Sequence, residues 1–133
     1  MPVLVDTNII ADVLTDDPEW MQWSKDQLER HRGGGLLIND VIFAELSIPA
    51  RDLDETEQVL HRFGLSLVGI PRAGLFSAGK AFARYRAFGG VKRAPLPDFF
   101  IGGHAEAAAL PLLTRDTVRY RTYFPSVFLI APG

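Results

Sequence analysis

Cysteine is absent from this 133-residue chain, which excludes disulfide bonds, thiolate metal sites and a cysteine nucleophile. Any metal ligand must therefore be an oxygen atom or a histidine nitrogen. The three histidines, His31, His61 and His104, lack the spacing to one another that a histidine metal site needs. We expect surface or packing roles for them, so the carboxylates are the candidate ligands.

Long apolar runs are also lacking, although 47% of the residues are hydrophobic. No segment has the length of a membrane span, and residues 1–5 lack the basic region and long apolar segment of a signal peptide. A chain of this size can still bury a substantial core. We therefore expect a single domain over residues 1–133, located in the cytoplasm.

The formal net charge is only −2, but it is unevenly distributed. Residues 1–66 contain five basic and 13 acidic side chains, a balance of −8, whereas residues 67–133 contain nine basic and three acidic ones, a balance of +6. This charge distribution has two equally good explanations: charged helix surfaces that simply face water, or a functional division of the protein into acidic and basic regions. Cations bound to the acids would turn an acidic pocket into a phosphate-binding one.

Four acidic residues stand out because of their surroundings. Asp6 and Asp116 each end an apolar run that is typical of a buried strand. Asp98 follows Pro97 at a predicted helix start. Glu45 lies inside an apolar helical segment, where an unpaired carboxylate is costly to bury, and no basic residue three or four positions away can pair with it. Glu45 therefore needs a partner, solvent or a cation.

Strand and helix patterns alternate along the whole chain. The predicted strands are 3–5, 36–38, 65–70, 112–116 and 127–130. The predicted helices are one that follows Asp6, 19–32, one that begins at Asn39 and carries Glu45, 54–63, 71–88, 99–110 and a short helix or turn at 117–123. This alternation predicts a three-layer α/β/α domain with a mainly parallel sheet.

Ligands of open α/β sheets gather outside the carboxyl ends of the strands, so this fold would bring the four acids together. Two carboxylates about 5 Å apart repel by roughly 3 kcal/mol at an effective dielectric constant of about 20. Either protons or divalent cations must then neutralise the cluster. A site made only of hard oxygen ligands suits Mg²⁺ or Mn²⁺.

Each of these residues also has a purely structural interpretation. A helix N-cap would explain Asp98 on its own, and a turn would explain Asp116.

Asp12 is expected to face solvent, and we leave it out of the site. Trp20 and Trp23 lie three positions apart on a predicted helix, which favours core packing over a surface for a protein partner.

The acids and their flanking residues together resemble the PIN-domain nucleases and, among them, the small toxin ribonucleases of VapBC-type toxin–antitoxin pairs. Four segments carry the resemblance: 3–8, 44–46, 96–101 with Ala105 beyond, and 113–116. None is specific by itself, but they occur in order over nearly the whole chain. The resemblance implies a PIN-like fold and an endoribonuclease.

The resemblance also implies roles for individual residues. It implies a Mg²⁺ or Mn²⁺ site that hydrolyses phosphodiester bonds, formed by the four positions that the residues themselves suggest: Asp6, Glu45, Asp98 and Asp116. The resemblance alone implies RNA as the substrate. Asn8 and Thr114 would support that site from the second layer. A small antitoxin and a second copy of the chain are the implied protein partners.

Basic side chains near the acids are candidates for phosphate contacts, with solvated charge as the competing interpretation. These are Arg84, Lys92, Arg93, Arg115 and Arg119, two of which lie in a basic, glycine-containing loop at 89–95.

Two other functional classes remain open. One is a catalytically silent PIN-like domain that binds RNA or protein. The other is an aspartate-based phosphotransfer domain, which the residues favour less. No acidic pair precedes Asp6 as in receiver domains, and Asn8 stands where aspartate-nucleophile phosphatases need a second aspartate.

Overall fold

The computed structural model describes residues 1–90 and 96–133. Its sheet has five strands: β1 (Val3–Val5), β2 (Leu36–Ile38), β3 (Leu65–Leu67), β4 (Leu112–Leu113) and β5 (Leu129–Ile130). Their order is β3-β2-β1-β4-β5, and every neighbouring pair is parallel. The predicted mainly parallel sheet is thus confirmed as a wholly parallel one.

Helices connect these strands, as parallel pairing requires. They are α1 (Thr7–Leu14), α2 (Met21–His31), α3 (Asp40–Ser47), α4 (Leu53–Phe63), α5 (Arg72–Ala87), α6 (Leu96–Ala108) and α7 (Val118–Tyr123). The arrangement is the expected three-layer α/β/α fold. None of the described helices is long and apolar enough to cross a membrane.

The strand order changes direction between β1 and β4. From β1 the chain adds β2 and β3 on one side of the sheet, and then β4 and β5 on the other. Such a switch point leaves a crevice at the carboxyl ends of the two central strands. Asp6 directly follows β1, and its backbone N–H donates to the Leu113 carbonyl at the end of β4. The fold therefore positions the first acid at this crevice.

Local capping fixes several helix ends as expected. The Asn39 side chain accepts a hydrogen bond from Ile42 N at 3.0 Å, which begins α3. Gly64 ends α4 in the left-handed conformation, with φ of 68°. The other Asn39 side-chain atom, Nδ2, lies 3.1 Å from His104 Nδ1, and this histidine is buried. The packing role expected for His104 is therefore confirmed, and it joins α3 to α6.

Several predicted boundaries differ from the structure. Strands β3, β4 and β5 are shorter than predicted. Helix α2 begins at Met21 because the Asp17 carboxylate accepts from the N–H groups of Glu19 and Trp20, forming a turn first. Helix α6 begins at Leu96, so Asp98 lies within its first turn and does not precede it. Proline is tolerated in a first helical turn, so Pro97 does not delay the start.

Helices α5 and α6 pack with their backbones unusually close together. A Cβ atom built on Gly103 would overlap the Gly74 carbonyl oxygen, and one built on Gly74 would lie 3.1 Å from the Gly103 carbonyl oxygen. Only glycine fits this crossing. Because α6 carries Asp98 in its first turn, the crossing also fixes the position of that acid.

Candidate active site

Asp6 lies at the centre of the candidate site and is 5% exposed. Its Oδ1 accepts from Thr7 N at 2.8 Å, which caps α1. Its Oδ2 accepts from the Thr114 hydroxyl at 2.8 Å and from the Tyr120 hydroxyl at 3.0 Å. Asn8 Nδ2 also donates to Oδ2, at 3.5 Å, so four donors hold this buried carboxylate at the end of β1.

The pKa of Asp6 is raised from its ordinary value of 3.8 to about 6. Burial is the main cause, and the negative charge of Asp98 adds to it. The hydrogen bonds from Thr114, Tyr120 and Thr7 oppose the rise. Asp6 forms no salt bridge within the described part of the chain. At neutral pH it is therefore a buried anion without a neutralising partner there.

Thr114 and Asn8 connect Asp6 to the loop that carries Asp116. The Thr114 hydroxyl, which is fully buried, also accepts from Asp116 N at 3.1 Å and from Asn8 Nδ2 at 3.3 Å. The Asn8 Oδ1 accepts from Arg115 N at 3.2 Å. Both residues predicted to support the site thus lie between the first and last acids.

Asp98 lies in the first turn of α6, and Asp116 lies between β4 and α7. Burial raises the pKa of Asp98, the Arg119 guanidinium opposes that rise, and the charge of Asp116 adds to it. The Asp98 Oδ2 accepts from Arg119 Nη1 at 2.9 Å. Asp116 itself is exposed. Asp98 is thus within electrostatic reach of both Asp6 and Asp116.

Glu45 reaches the site through a hydroxyl group. It is half-buried on α3, and its Oε1 accepts from the Thr7 hydroxyl at 2.6 Å. The backbone N–H of the same threonine caps Asp6, so Thr7 connects the two carboxylates. The partner that the sequence required for Glu45 is therefore this hydroxyl.

The carboxylates are near one another but do not form a complete set of metal ligands. Within residues 1–90 and 96–133, no three acidic or histidine side chains are arranged so that they could hold a metal ion as placed. Asp98 is instead paired with Arg119. The chemical character of the site is nevertheless clear: oxygen donors, partial burial and excess negative charge at a sheet switch point.

Comparison with known proteins identifies the family. Residues 3–125 match the family model of the PIN domain. The chain belongs to the PIN domain family. No curated protein sequence matches it significantly.

Solved structures with the same fold cover almost all of this PIN domain. VapBC2 from Rickettsia felis, bound to a DNA fragment from its promoter, is 19% identical with a TM-score of 0.75, and all of both chains is covered. FitAcB from Neisseria gonorrhoeae is 18% identical with a TM-score of 0.68, covering 98% of this chain and 96% of that one. DNA-bound VapBC from Salmonella typhimurium is 17% identical with a TM-score of 0.68, covering 98% of each chain.

Tyr120 is a residue of this PIN domain that sequence reasoning missed. It is 1% exposed, and its pKa lies well above the usual range, first because of burial and then because of the negative charges of Asp6, Asp98 and Asp116. The hydroxyl therefore stays protonated and remains a donor to Asp6. Its contact with Asp6 spans 114 residues of sequence, so no local pattern signalled it.

The predicted phosphate-contacting residues have different surroundings. Arg119 pairs with Asp98, and Arg84 Nη2 donates to the Tyr123 carbonyl at 3.1 Å. Arg115 points away from the four acids and pairs with Asp12. Lys92 and Arg93 lie outside the described residues.

The prediction that Asp12 faces solvent is wrong. Its carboxylate is 3% exposed and accepts from Arg115 at 2.6 and 2.8 Å and from the Ser24 hydroxyl at 2.7 Å. The guanidinium carbon of Arg115 lies 5.3 Å from the Trp20 ring centroid. Burial is possible because helix α2 covers this face of α1 and Arg115 supplies the compensating charge.

Proposed function

We propose that this PIN domain is a Mg²⁺- or Mn²⁺-dependent endoribonuclease and the toxin of a type II toxin–antitoxin pair. The observation that carries the proposal is the convergence of Asp6, Asp98 and Asp116, whose charges all raise the pKa of Tyr120. Carboxylates gathered at a switch point around a buried one, Asp6, are a costly arrangement, and a bound divalent cation would remove the cost.

The donor chemistry fits such a cation, because all the candidate ligands are carboxylate oxygens. The Arg119–Asp98 pair is the obstacle, since the guanidinium holds one of them. The two side chains are 31% and 28% exposed. A pair this accessible to water is worth about 1 kcal/mol or less. A divalent cation can therefore displace Arg119 at small cost.

The residues then have distinct tasks. Asp6, Asp98 and Asp116 would bind the cation, and Glu45, held by the Thr7 hydroxyl, would complete the site directly or through water. A cation held by these residues would supply positive charge to the scissile phosphate and a water molecule of lowered pKa. In the hydrolysis the water oxygen would bond to phosphorus as the bond to the leaving oxygen breaks.

Three further residues would orient the metal-binding carboxylates without touching substrate: Asn8, Thr114 and Tyr120. Asn8 and Thr114 hold the loop of Asp116, and Tyr120 holds one oxygen of Asp6. Arg119, once released from Asp98, becomes available to an RNA phosphate. Arg84, Lys92 and Arg93 remain further candidates for such contacts.

A small antitoxin is the proposed protein partner, and we also propose a homodimer. Structures of similar fold include a toxin–antitoxin complex from Klebsiella pneumoniae and a member of the VapBC family of toxin–antitoxin systems from Mycobacterium tuberculosis. Light scattering of the purified chain tests the dimer. Growth arrest on expression, relieved by a co-expressed neighbouring gene product, tests the toxin role.

A catalytically silent PIN domain is the second candidate. The Arg119–Asp98 ion pair favours it, because an arginine can replace a metal ion in neutralising an acidic site. Calorimetric titration with Mn²⁺ separates the two candidates. A silent domain would bind no metal at the four acids, whereas the proposed nuclease would lose its binding in Asp98→Asn.

The decisive experiment is cleavage of a labelled RNA panel by the purified chain in Mg²⁺ or Mn²⁺, beside EDTA. We expect metal-dependent cutting that Asp98→Asn abolishes. Asp26→Asn is the matched control, because this exposed aspartate on α2 accepts its hydrogen bond from Gln22 on the same helix. Cutting that survives EDTA or Asp98→Asn would overturn the proposed metal nuclease.

A further inference from the structure

A pocket of about 320 Å³ opens beside Asp116, between α5 and α7. Tyr85 on α5 and Tyr123 on α7 form its aromatic walls. Its remaining lining residues are Asp116, Val118, Arg119 and Thr122. The volume is near the lower end for ligand pockets, which begin at about 300 Å³, and suits a single small ring system. The pocket thus adjoins the proposed metal site directly.

The two tyrosine rings are held rigidly. Their centroids lie 6.0 Å apart in an edge-to-face arrangement. Each also packs against Phe99, at 5.5 Å for Tyr85 and 5.2 Å for Tyr123, and Phe99 is fully buried. Both tyrosines are half-buried, and both line the pocket. A fixed aromatic wall loses little entropy when a flat ligand packs on it.

Positive charge borders the same pocket. The Arg119 guanidinium carbon lies 5.9 Å from the Tyr85 ring centroid, and Arg84 donates to the Tyr123 backbone carbonyl. Aromatic rings flanked by guanidinium groups are the usual surface for single-stranded nucleic acid, because bases stack on the rings while phosphates contact the cations.

We infer that this pocket binds one unpaired nucleobase of the RNA, next to the phosphate that is cut. The inference rests on the proposed ribonuclease function and adds a subsite to it. Stacking against Tyr85 or Tyr123 would anchor the nucleotide beside Asp116 and so set the position of the scissile bond. Because stacking tolerates every base, the pocket would require an unpaired nucleotide more than a particular sequence.

The test is an abasic scan of a short single-stranded RNA that the chain cleaves. Each nucleotide near the cut is replaced in turn by an abasic one, and binding is measured by fluorescence anisotropy in EDTA, where no cutting occurs. We expect removal of one base beside the cut to weaken binding about tenfold, as expected for the loss of one stacked base. The other positions should change affinity little.

Substitutions in the pocket show which residues read that base. In Tyr85→Leu, removal of the base beside the cut should no longer weaken RNA binding; we call this weakening the abasic effect. Tyr85→Phe keeps the ring and should keep the effect. Phe82→Leu is the matched control. Phe82 lies on α5 like Tyr85 and packs against both Tyr85 and Phe99, but it does not line the pocket. If Tyr85→Leu does not fold, the pair Tyr123→Leu and Tyr123→Phe makes the same comparison.

The outcomes separate this subsite from the underlying function. An abasic effect that persists unchanged in Tyr85→Leu and Tyr123→Leu, or no abasic effect at any position, would overturn the nucleobase pocket while the nuclease stands. If the wild-type chain neither binds nor cuts any RNA, both the proposed function and the subsite fail.

Discussion

The Tyr120 hydroxyl donates to Asp6 Oδ2 at 3.0 Å, across 114 residues of sequence. The same oxygen accepts from Thr114, whereas Oδ1 accepts only from Thr7 N within the described residues. A carboxylate oxygen can accept two hydrogen bonds or ligand bonds. The geometry therefore leaves Oδ1 as the Asp6 oxygen with spare capacity for a cation.

Tyr120→Phe removes one of the hydrogen bonds that restrain the pKa of Asp6. We expect that pKa to rise above its present value of about 6, so that protons compete better with metal. Mn²⁺ affinity should fall about tenfold at pH 6, and less at pH 8, where Asp6 is ionised in either protein. Calorimetry at both pH values measures this. Tyr123→Phe is the control on the same helix, and an equal loss at both pH values would contradict the mechanism.

Asp6 also makes metal-dependent stability vary with pH. Its folded pKa of about 6 exceeds the ordinary value of 3.8, so folding favours the protonated form. The contribution of Asp6 to the free energy of unfolding is complete below about pH 3.8. It is lost as the pH rises through 6, and the loss amounts to about 3 kcal/mol.

Bound Mg²⁺ should remove that loss. The stabilisation by Mg²⁺ relative to EDTA should therefore be larger at pH 7.5 than at pH 5, as measured by urea unfolding. A magnesium effect that is the same at both pH values would argue against Asp6 as a ligand.

Local sequence patterns predicted those parts of the site that depend on local structure. Asp6 and Asp116 were found because apolar runs end beside them, and Asn39 because a helix begins after it. Tyr120 and the partner of Asp12 were missed. Their contacts span 114 and 103 residues, and the hydrophobic periodicity of a helix does not report which distant side chain a polar group meets.

Arg119→Gln should increase metal affinity. The guanidinium both pairs with Asp98 and repels an approaching cation, so its removal frees a ligand. We expect Mn²⁺ to bind at least about threefold more tightly. Manganese electron paramagnetic resonance gives the metal affinity directly. Weaker metal binding in the variant would mean that Arg119 helps to assemble the site.

Arg115→Met should destabilise the fold without much effect on RNA binding. It would leave the buried carboxylate of Asp12 without its cation, at a cost of about 3 kcal/mol. Arg51→Met is the matched control, because it breaks an exposed pair with Glu55 on the surface and should change the stability little. Urea unfolding compares them. A large loss of RNA affinity in folded Arg115→Met would restore its role as a phosphate contact.

Two glycines in the paired helices α5 and α6 should respond to alanine in opposite directions. In Gly103→Ala the new methyl group meets the backbone of Gly74, which cannot move aside as a side chain would. We expect a loss of about 1–3 kcal/mol and weaker metal binding, because α6 would shift together with Asp98.

Gly79→Ala provides the comparison, because it makes the same chemical change within α5. A Cβ atom there meets nothing within 4 Å, and Gly79 is exposed. Alanine should stabilise this helix by about 0.5–1 kcal/mol, since it lowers the entropy of the unfolded chain. Metal affinity should not change. Urea unfolding and Mn²⁺ titration of both variants test the pair, and a Gly103→Ala protein with wild-type stability and metal affinity would show that the α5–α6 crossing does not position Asp98.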